Sequence, residues 1–98
     1  MSNRNTTKHP SLRALGLAIR SSREEAGYSQ ESFARHAGLD RSYYGAVERG
    51  AFNLTFETLV KIATGLGVGL GELCTRADRK ARELRREETS TPLYPSAR

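Results

Sequence analysis

Ser29–Gly50 reads SQESFARHAGLDRSYYGAVERG, two short helix-like runs that meet at Gly38 with only Leu39 and Asp40 before the second begins. Ser29 is placed to cap a helix over Gln30–Ala37, its hydroxyl accepting from a first-turn N–H that has no partner within the helix. Phe33, Ala34 and Ala37 make that helix's buried face. Gly38 stops it, since glycine enters positive φ without a Cβ penalty. Asp40 caps the second helix, where its carboxylate also meets the positive end of the dipole, and Gly50 ends it. So short a connection holds the second helix out from the first and leaves one flank free to be read.

The residues on that flank follow from helical geometry. With about 100° per residue and Val47 at zero, Tyr44 falls at about 60° and Tyr43 at about −40°, so these three can face the core together. Arg41, Gly45, Arg49 and Ser42 fall between about 120° and 220°, on a face that is polar or bare. Arg41 can offer two parallel donors to a guanine edge, and Ser42 can give or accept one hydrogen bond. Both occupy the first turn, the part of a helix that first meets base edges in a major groove. Gly45 and Ala46 carry almost no side chain. An interior glycine costs about 0.5–1 kcal/mol against alanine; either a surface helix tolerates it, or it clears space for a duplex.

Outward from this pair, Leu12, Leu15, Ala18 and Ile19 keep the spacing of one buried helix face. Ser11 is the expected cap of that first helix and Gly27 its stop. Residues 1–10 are polar and end in Pro10, which reads as a flexible arm. After a loop over 51–54, Thr55 caps a fourth helix carrying Leu59, Ile62, Ala63 and Leu66, with Gly65 and Gly67 at its end. Val68, Leu70 and Leu73 imply a short fifth helix, its start weakened by Gly69 and Gly71. A five-helix domain is thus expected over 11–75. A charged extension follows over 76–88, helical in expectation, with Ala77, Ala81 and Leu84 at apolar spacing and Asp78 and Arg82 in the favourable i, i+4 order. Residues 89–98 contain two prolines and read as a disordered tail. The class is all-α, with five helices and no convincing strand.

Ninety-eight residues suit one domain with tails. A core near 60 residues buries only about 60% of its extended-chain surface, so oligomerisation is the expected help. The formal charge of +5 leans towards a polyanionic partner. It sits mainly in the first helix and the tails, for residues 29–75 sum to −1. A DNA reading therefore rests on which face the charges occupy. Cys74 is the only cysteine, which excludes an intrachain disulfide and a cysteine-based zinc cluster and suits a reducing compartment. The N-terminus lacks the apolar region of a signal peptide, and no stretch approaches the roughly 18 apolar residues of a membrane span. A cytoplasmic location with no membrane partner is the expectation.

The same stretch resembles the helix-turn-helix of the lambda-repressor-like family, the XRE or Cro/cI type. The resemblance is carried by Gln30 opening the first helix of the pair, small Ala34 at the crossing, Gly38 in the turn, Tyr44 and Val47, and "ERG" at Glu48–Gly50. It continues through NLTFETLVKIATGLGVGLGEL, Asn53–Leu73, which is similar to the family's fourth and fifth helices, and covers roughly residues 12–75. It implies a five-helix lambda-repressor-like DNA-binding domain and a transcriptional regulator that binds double-stranded DNA as a homodimer. It implies no cofactor, and no small-molecule effector is evident. By position, Gln30 corresponds to a phosphate contact, Arg41, Ser42 and Ala46 to base-facing residues, and Tyr43 to one bordering backbone and bases. Arg49 and Asn53 lie near the usual phosphate-contacting loop. Arg23 and Glu48 match an ion pair between helices one and three.

Five residues depart from the family pattern. Ala46 offers no hydrogen bond, which shifts weight to DNA shape; Phe52 stands where the loop is often basic, which either weakens phosphate binding or adds a local apolar contact. Gly69 and Gly71 replace capping and acidic residues, and Tyr44 replaces an aliphatic one. Leu70 and Leu73, extended by Leu84, are the expected dimer seam. Each of Arg13, Arg20, Arg35 and the arginines of 76–88 is either a phosphate contact or simply solvated. Arg4 and Lys8 form either a minor-groove arm or a plain leader. His9 and His36 are too isolated for a metal site, and Cys74 reads as a small apolar residue. Catalysis needs a nucleophile, a base and an orienting group in one pocket, and the sequence offers no such set. The rival to a DNA regulator is an antitoxin or protein-interaction adaptor that uses the extension to bind a partner.

Overall fold

The computed structural model describes residues 9–87, and the expectations for Arg4, Lys8 and the tail over 89–98 lie outside them. Five helices follow in order: α1 Pro10–Glu25, α2 Gln30–Ala37, α3 Arg41–Glu48, α4 Phe56–Leu66 and α5 Leu70–Glu87. Ile19, Phe33, Tyr44, Ile62 and Leu73, one from each helix, are fully buried and make the centre of the core. Phe33 sits between the rings of Tyr28 and Tyr44, each with its centroid 5.3 Å away. Aromatic pairs tilted in this way add to the area they bury.

Local chemistry places the helix ends. Ser29 Oγ accepts from Ser32 N at 3.0 Å and Ser32 Oγ accepts from Ser29 N at 3.0 Å, so α2 begins in a reciprocal capping box. Thr55 Oγ1 accepts from Thr58 N at 3.0 Å at the start of α4. Gly38, at φ 76°, donates to Arg35 O while Leu39 donates to Ala34 O, the paired bonds of a left-handed helix stop. The same pair closes α1 through Gly27 and Tyr28, α3 through Gly50 and Ala51, and α4 through Gly67 and Val68.

The structure differs from the sequence expectation at both ends. His9, not Ser11, caps α1: its Nδ1 accepts from Ser11 N at 3.0 Å, and Pro10 occupies the first helical position, where it lacks only an N–H that would have no partner. The expected arm therefore gives up its last two residues to the domain. Gly65 lies in the last turn of α4, where a Cβ would stand 3.0 Å from the Phe33 ring. At the other end no break separates a short fifth helix from an extension at 75/76, because α5 runs unbroken for 18 residues. Leu70, Leu73, Ala77, Ala81 and Leu84 form one continuous stripe at helical spacing. Arg76 meets Ser22 and Glu25 near the end of α1, whereas Glu83 shares a groove with Ala18 farther back, so the two helices run antiparallel. Among the described residues, Lys80 pairs with Glu83 at 3.5 Å and no ion pair joins Asp78 to Arg82. Cys74, read from the sequence as a small apolar residue, is exposed.

Candidate nucleic-acid interface

A buried charge cluster sets the orientation of α3. Arg23 enters from α1, its Nε donating to Glu48 Oε2 at 2.7 Å and its Nη2 to Oε1 at 3.1 Å. Its Nη1 donates to Tyr28 O at 2.8 Å. Gln30 Nε2, from the first residue of α2, donates to Glu48 Oε1 at 2.9 Å, and the Tyr44 hydroxyl donates to Oε2. Four donors on three helices thus converge on one carboxylate in the last turn of α3, where the helix dipole alone would disfavour negative charge. Burial pushes the Glu48 carboxyl up, but the bonds from Arg23, Tyr44 and Gln30 outweigh it and hold the group below its ordinary value. The bond to Glu48 raises Arg23 against the opposing effect of burial, and burial followed by the Glu48 bond raises Tyr44. The larger, more polar residue at Tyr44 therefore has a structural purpose that an aliphatic side chain could not serve.

α1 and α3 meet closely enough for this cluster because Gly16 has no side chain. A Cβ there would stand 2.4 Å from Glu48 O and 2.7 Å from Val47 O. Gly50 has a similar role one turn away, where a Cβ would lie 2.8 Å from Arg13 Cα.

With α3 so held, Arg41, Ser42 and Arg49 are exposed, Tyr43 is half-buried, and Tyr44 and Val47 face inward, as the helical wheel implied. Asn53 is exposed in the α3–α4 loop, and Gln30 is half-buried. Two expectations need correction. Gly45 is buried, because the Arg49 guanidinium and the Gln30 carboxamide fold over it: Arg49 Nη1 and Gln30 Oε1 each lie 3.6 Å from where its Cβ would be. Ala46 is 5% exposed, so it has no free surface to turn towards a base. Its carbonyl accepts from Ala51 N at 3.0 Å as the chain folds back after Gly50. Of the expected site residues, Gln30 and Arg49 are brought together over Gly45, Arg41 and Ser42 share the first turn, and Ala46 is withdrawn.

Several other cations are already engaged. Arg20 pairs with Glu24 at 3.2 Å, and Arg76 donates to Ser22 Oγ and to Glu72, each at 2.7 Å. Arg13 and Arg35 stay exposed. His36 stacks on Tyr28 at 5.0 Å with its Nε2 3.2 Å from Gly65 O, a tie between α2 and α4. Phe52 makes its local apolar contact by stacking on Tyr43, a partner that sequence reasoning did not name, with ring centroids 5.7 Å apart. Periodicity within a helix carries no signal for a contact made across a loop.

A helix-turn-helix family model matches residues 19–73. The control protein C.MunI of a Mycoplasma species is 47% identical over 51 residues, covering 52% of this chain and 69% of that protein. The restriction-modification controller protein C.AhdI from Aeromonas hydrophila superposes with a TM-score of 0.65 at 42% identity, over 66% of this chain and 98% of that one. A variant of C.Esp1396I bound to its highest affinity operator site superposes with a TM-score of 0.69 at 28% identity, over 76% of this chain and 99% of that one. Five helices, a glycine-stopped corner, the Arg23–Glu48 pair and a family match across more than half its length establish that this chain belongs to the lambda-repressor-like, XRE-type helix-turn-helix family.

Proposed function

We propose that this chain is a sequence-specific DNA-binding transcriptional regulator that acts as a homodimer on an inverted-repeat operator, of the restriction-modification-controller or phage-repressor type. The observation that carries this reading is the exposure of Arg41 and Ser42 on the first turn of an α3 whose orientation is set by the buried Arg23–Glu48 pair. Arg41 reads a guanine edge through two donors, Ser42 adds one hydrogen bond, and Tyr43 borders the bases. Arg49, Asn53 and the N-terminal turn of α2 with Gln30 take phosphates, which fix register without carrying sequence information. Ala46 keeps no part in direct readout.

One such helix contacts too few base pairs, at about 1–3 kcal/mol per mismatch, to discriminate usefully. A two-fold dimer places two of them about 34–36 Å apart on one side of the duplex. Leu73 cannot form the seam, because it is fully buried within the monomer. The seam is assigned to Phe56 and Val60, 69% and 38% exposed and one turn apart on α4. Over the described residues, the stretch expected to bind a protein partner continues α5, the helix that packs against α1, which weakens the case for an adaptor. Selection from a random duplex pool tests the proposal: an inverted repeat with half-site centres about 10 base pairs apart is expected, and recovery of no common sequence would refute it.

A further inference from the structure

Phe52 is a large apolar side chain, 44% exposed, in the loop that follows α3. It has no charge to offer a phosphate. Its ring lies nearly parallel to that of Tyr43, with 23° between the planes and 5.7 Å between centroids. Tyr43 also packs against the core, and its backbone N donates to Asp40 Oδ2 at 3.0 Å. Tyrosine has only two side-chain torsions, so contact with both the core and Phe52 leaves this ring little freedom. The two neighbouring tyrosines of α3 differ in burial and in what their hydroxyls meet. The Tyr44 hydroxyl is bonded to Glu48, whereas the Tyr43 hydroxyl meets no partner among the described residues and is not buried, which leaves it available as both donor and acceptor.

We infer that Phe52 is a positioning residue for specificity: by stacking on Tyr43 it fixes where that hydroxyl and ring edge are offered to the operator. It thereby sets the base preference at the position Tyr43 reaches. This rests on the DNA-reading function proposed above. Pre-organisation of this kind strengthens binding only where the ordered group is used, so its loss lowers discrimination at one position per half-site and leaves the others alone. The strength of an offset aromatic stack bounds the effect at about two- to twelvefold.

The test uses the full chain and its selected operator, with Phe52→Ala, the conservative Phe52→Tyr and Tyr43→Phe. In the free protein, the Tyr43 ring-proton shifts should move towards uncoupled tyrosine values in Phe52→Ala and stay in place in Phe52→Tyr. On DNA, Phe52→Ala should lose about two- to twelvefold in discrimination at the single position that Tyr43→Phe also affects. The double variant should lose no more than the larger of the two single losses, and Phe52→Tyr should restore the preference. Uniform weakening on every sequence, additive losses, or unaltered preference would each overturn the positioning role while leaving the DNA-reading function intact. Absence of any sequence preference in the unmodified chain would overturn that function and this role with it.

Discussion

Two glycine-to-alanine substitutions, made in packed helices of the same domain, should act in opposite directions. At Gly16 the new Cβ would stand 2.4 Å from Glu48 O, 2.7 Å from Val47 O and 2.8 Å from Glu48 C, all backbone atoms. Relief to a normal separation of about 3.5 Å requires α1 and α3 to part by about 1 Å. No flexible side-chain end is present to yield instead, so the cost belongs near the upper end of the ~1–3 kcal/mol of overpacking. Alanine returns about 1 kcal/mol of helix propensity, for a net loss of about 2 kcal/mol. At about 4–8 °C per kcal/mol for a domain of this size, Gly16→Ala should melt about 8–16 °C lower. At Gly45 the nearest atoms are Arg49 Nη1 and Gln30 Oε1, both at 3.6 Å, which is ordinary contact. Gly45→Ala should therefore gain about 0.5–1 kcal/mol and melt about 2–8 °C higher. Circular dichroism melts at one fixed protein concentration measure both, since dimerisation would make the midpoint depend on concentration. A Gly16→Ala midpoint at or above that of the unmodified chain would refute the close α1–α3 approach. Operator affinity of Gly45→Ala then resolves why glycine stands there. A stabler fold with weaker binding assigns it to clearance for the duplex, and unchanged binding assigns it to mere tolerance.

The buried carboxylate makes a pH prediction. Glu48 is held below its ordinary value of 4.5, so its contribution is complete above that pH and is lost as pH falls through the folded-state value. Glu48→Gln should cost about 3–5 kcal/mol at pH 7, because Arg23 stays buried without its counter-charge. Its stability, read by urea unfolding, should also fall less steeply below pH 4.5 than that of the unmodified chain; parallel curves would contradict the assignment. Arg41→Ala should relax preference at one base position, whereas Arg49→Ala should weaken all sequences alike and reduce the salt slope by about one unit. Titrations at several salt concentrations separate the two. Val60→Asp, at a surface site, should leave the monomer folded and shift sedimentation to the monomeric species; a persistent dimer would move the seam elsewhere.

Much of this protein was legible without coordinates. The corner over Ser29–Gly50 is written in short-range chemistry, a capping oxygen at Ser29 and Asp40 and a left-handed stop at Gly38, and these act within a turn of their own position. Val47 and Tyr44 faced the core for the same reason, since helical periodicity is local. Readings failed where a second helix decides the outcome. Leu73 looked like a seam because its period is apolar, but only the packing of five helices says which apolar positions are filled within one chain. Ala77, Ala81 and Leu84 looked like a separate piece because charges surround them, but they belong to one long α5 that packs against α1. Gly16 carried no signal at all, for its role exists only where two backbones meet. Gly45 appeared free on a helical wheel, which knows nothing of Gln30 reaching across from α2, and Ala46 was base-facing only by family position, which knows nothing of a chain folding back. Sequence alone thus determined the corner and the glycine stops of the first four helices, because those depend on neighbours along the chain. Which residues are exposed at that corner was decided only by the tertiary structure, because exposure depends on neighbours in space.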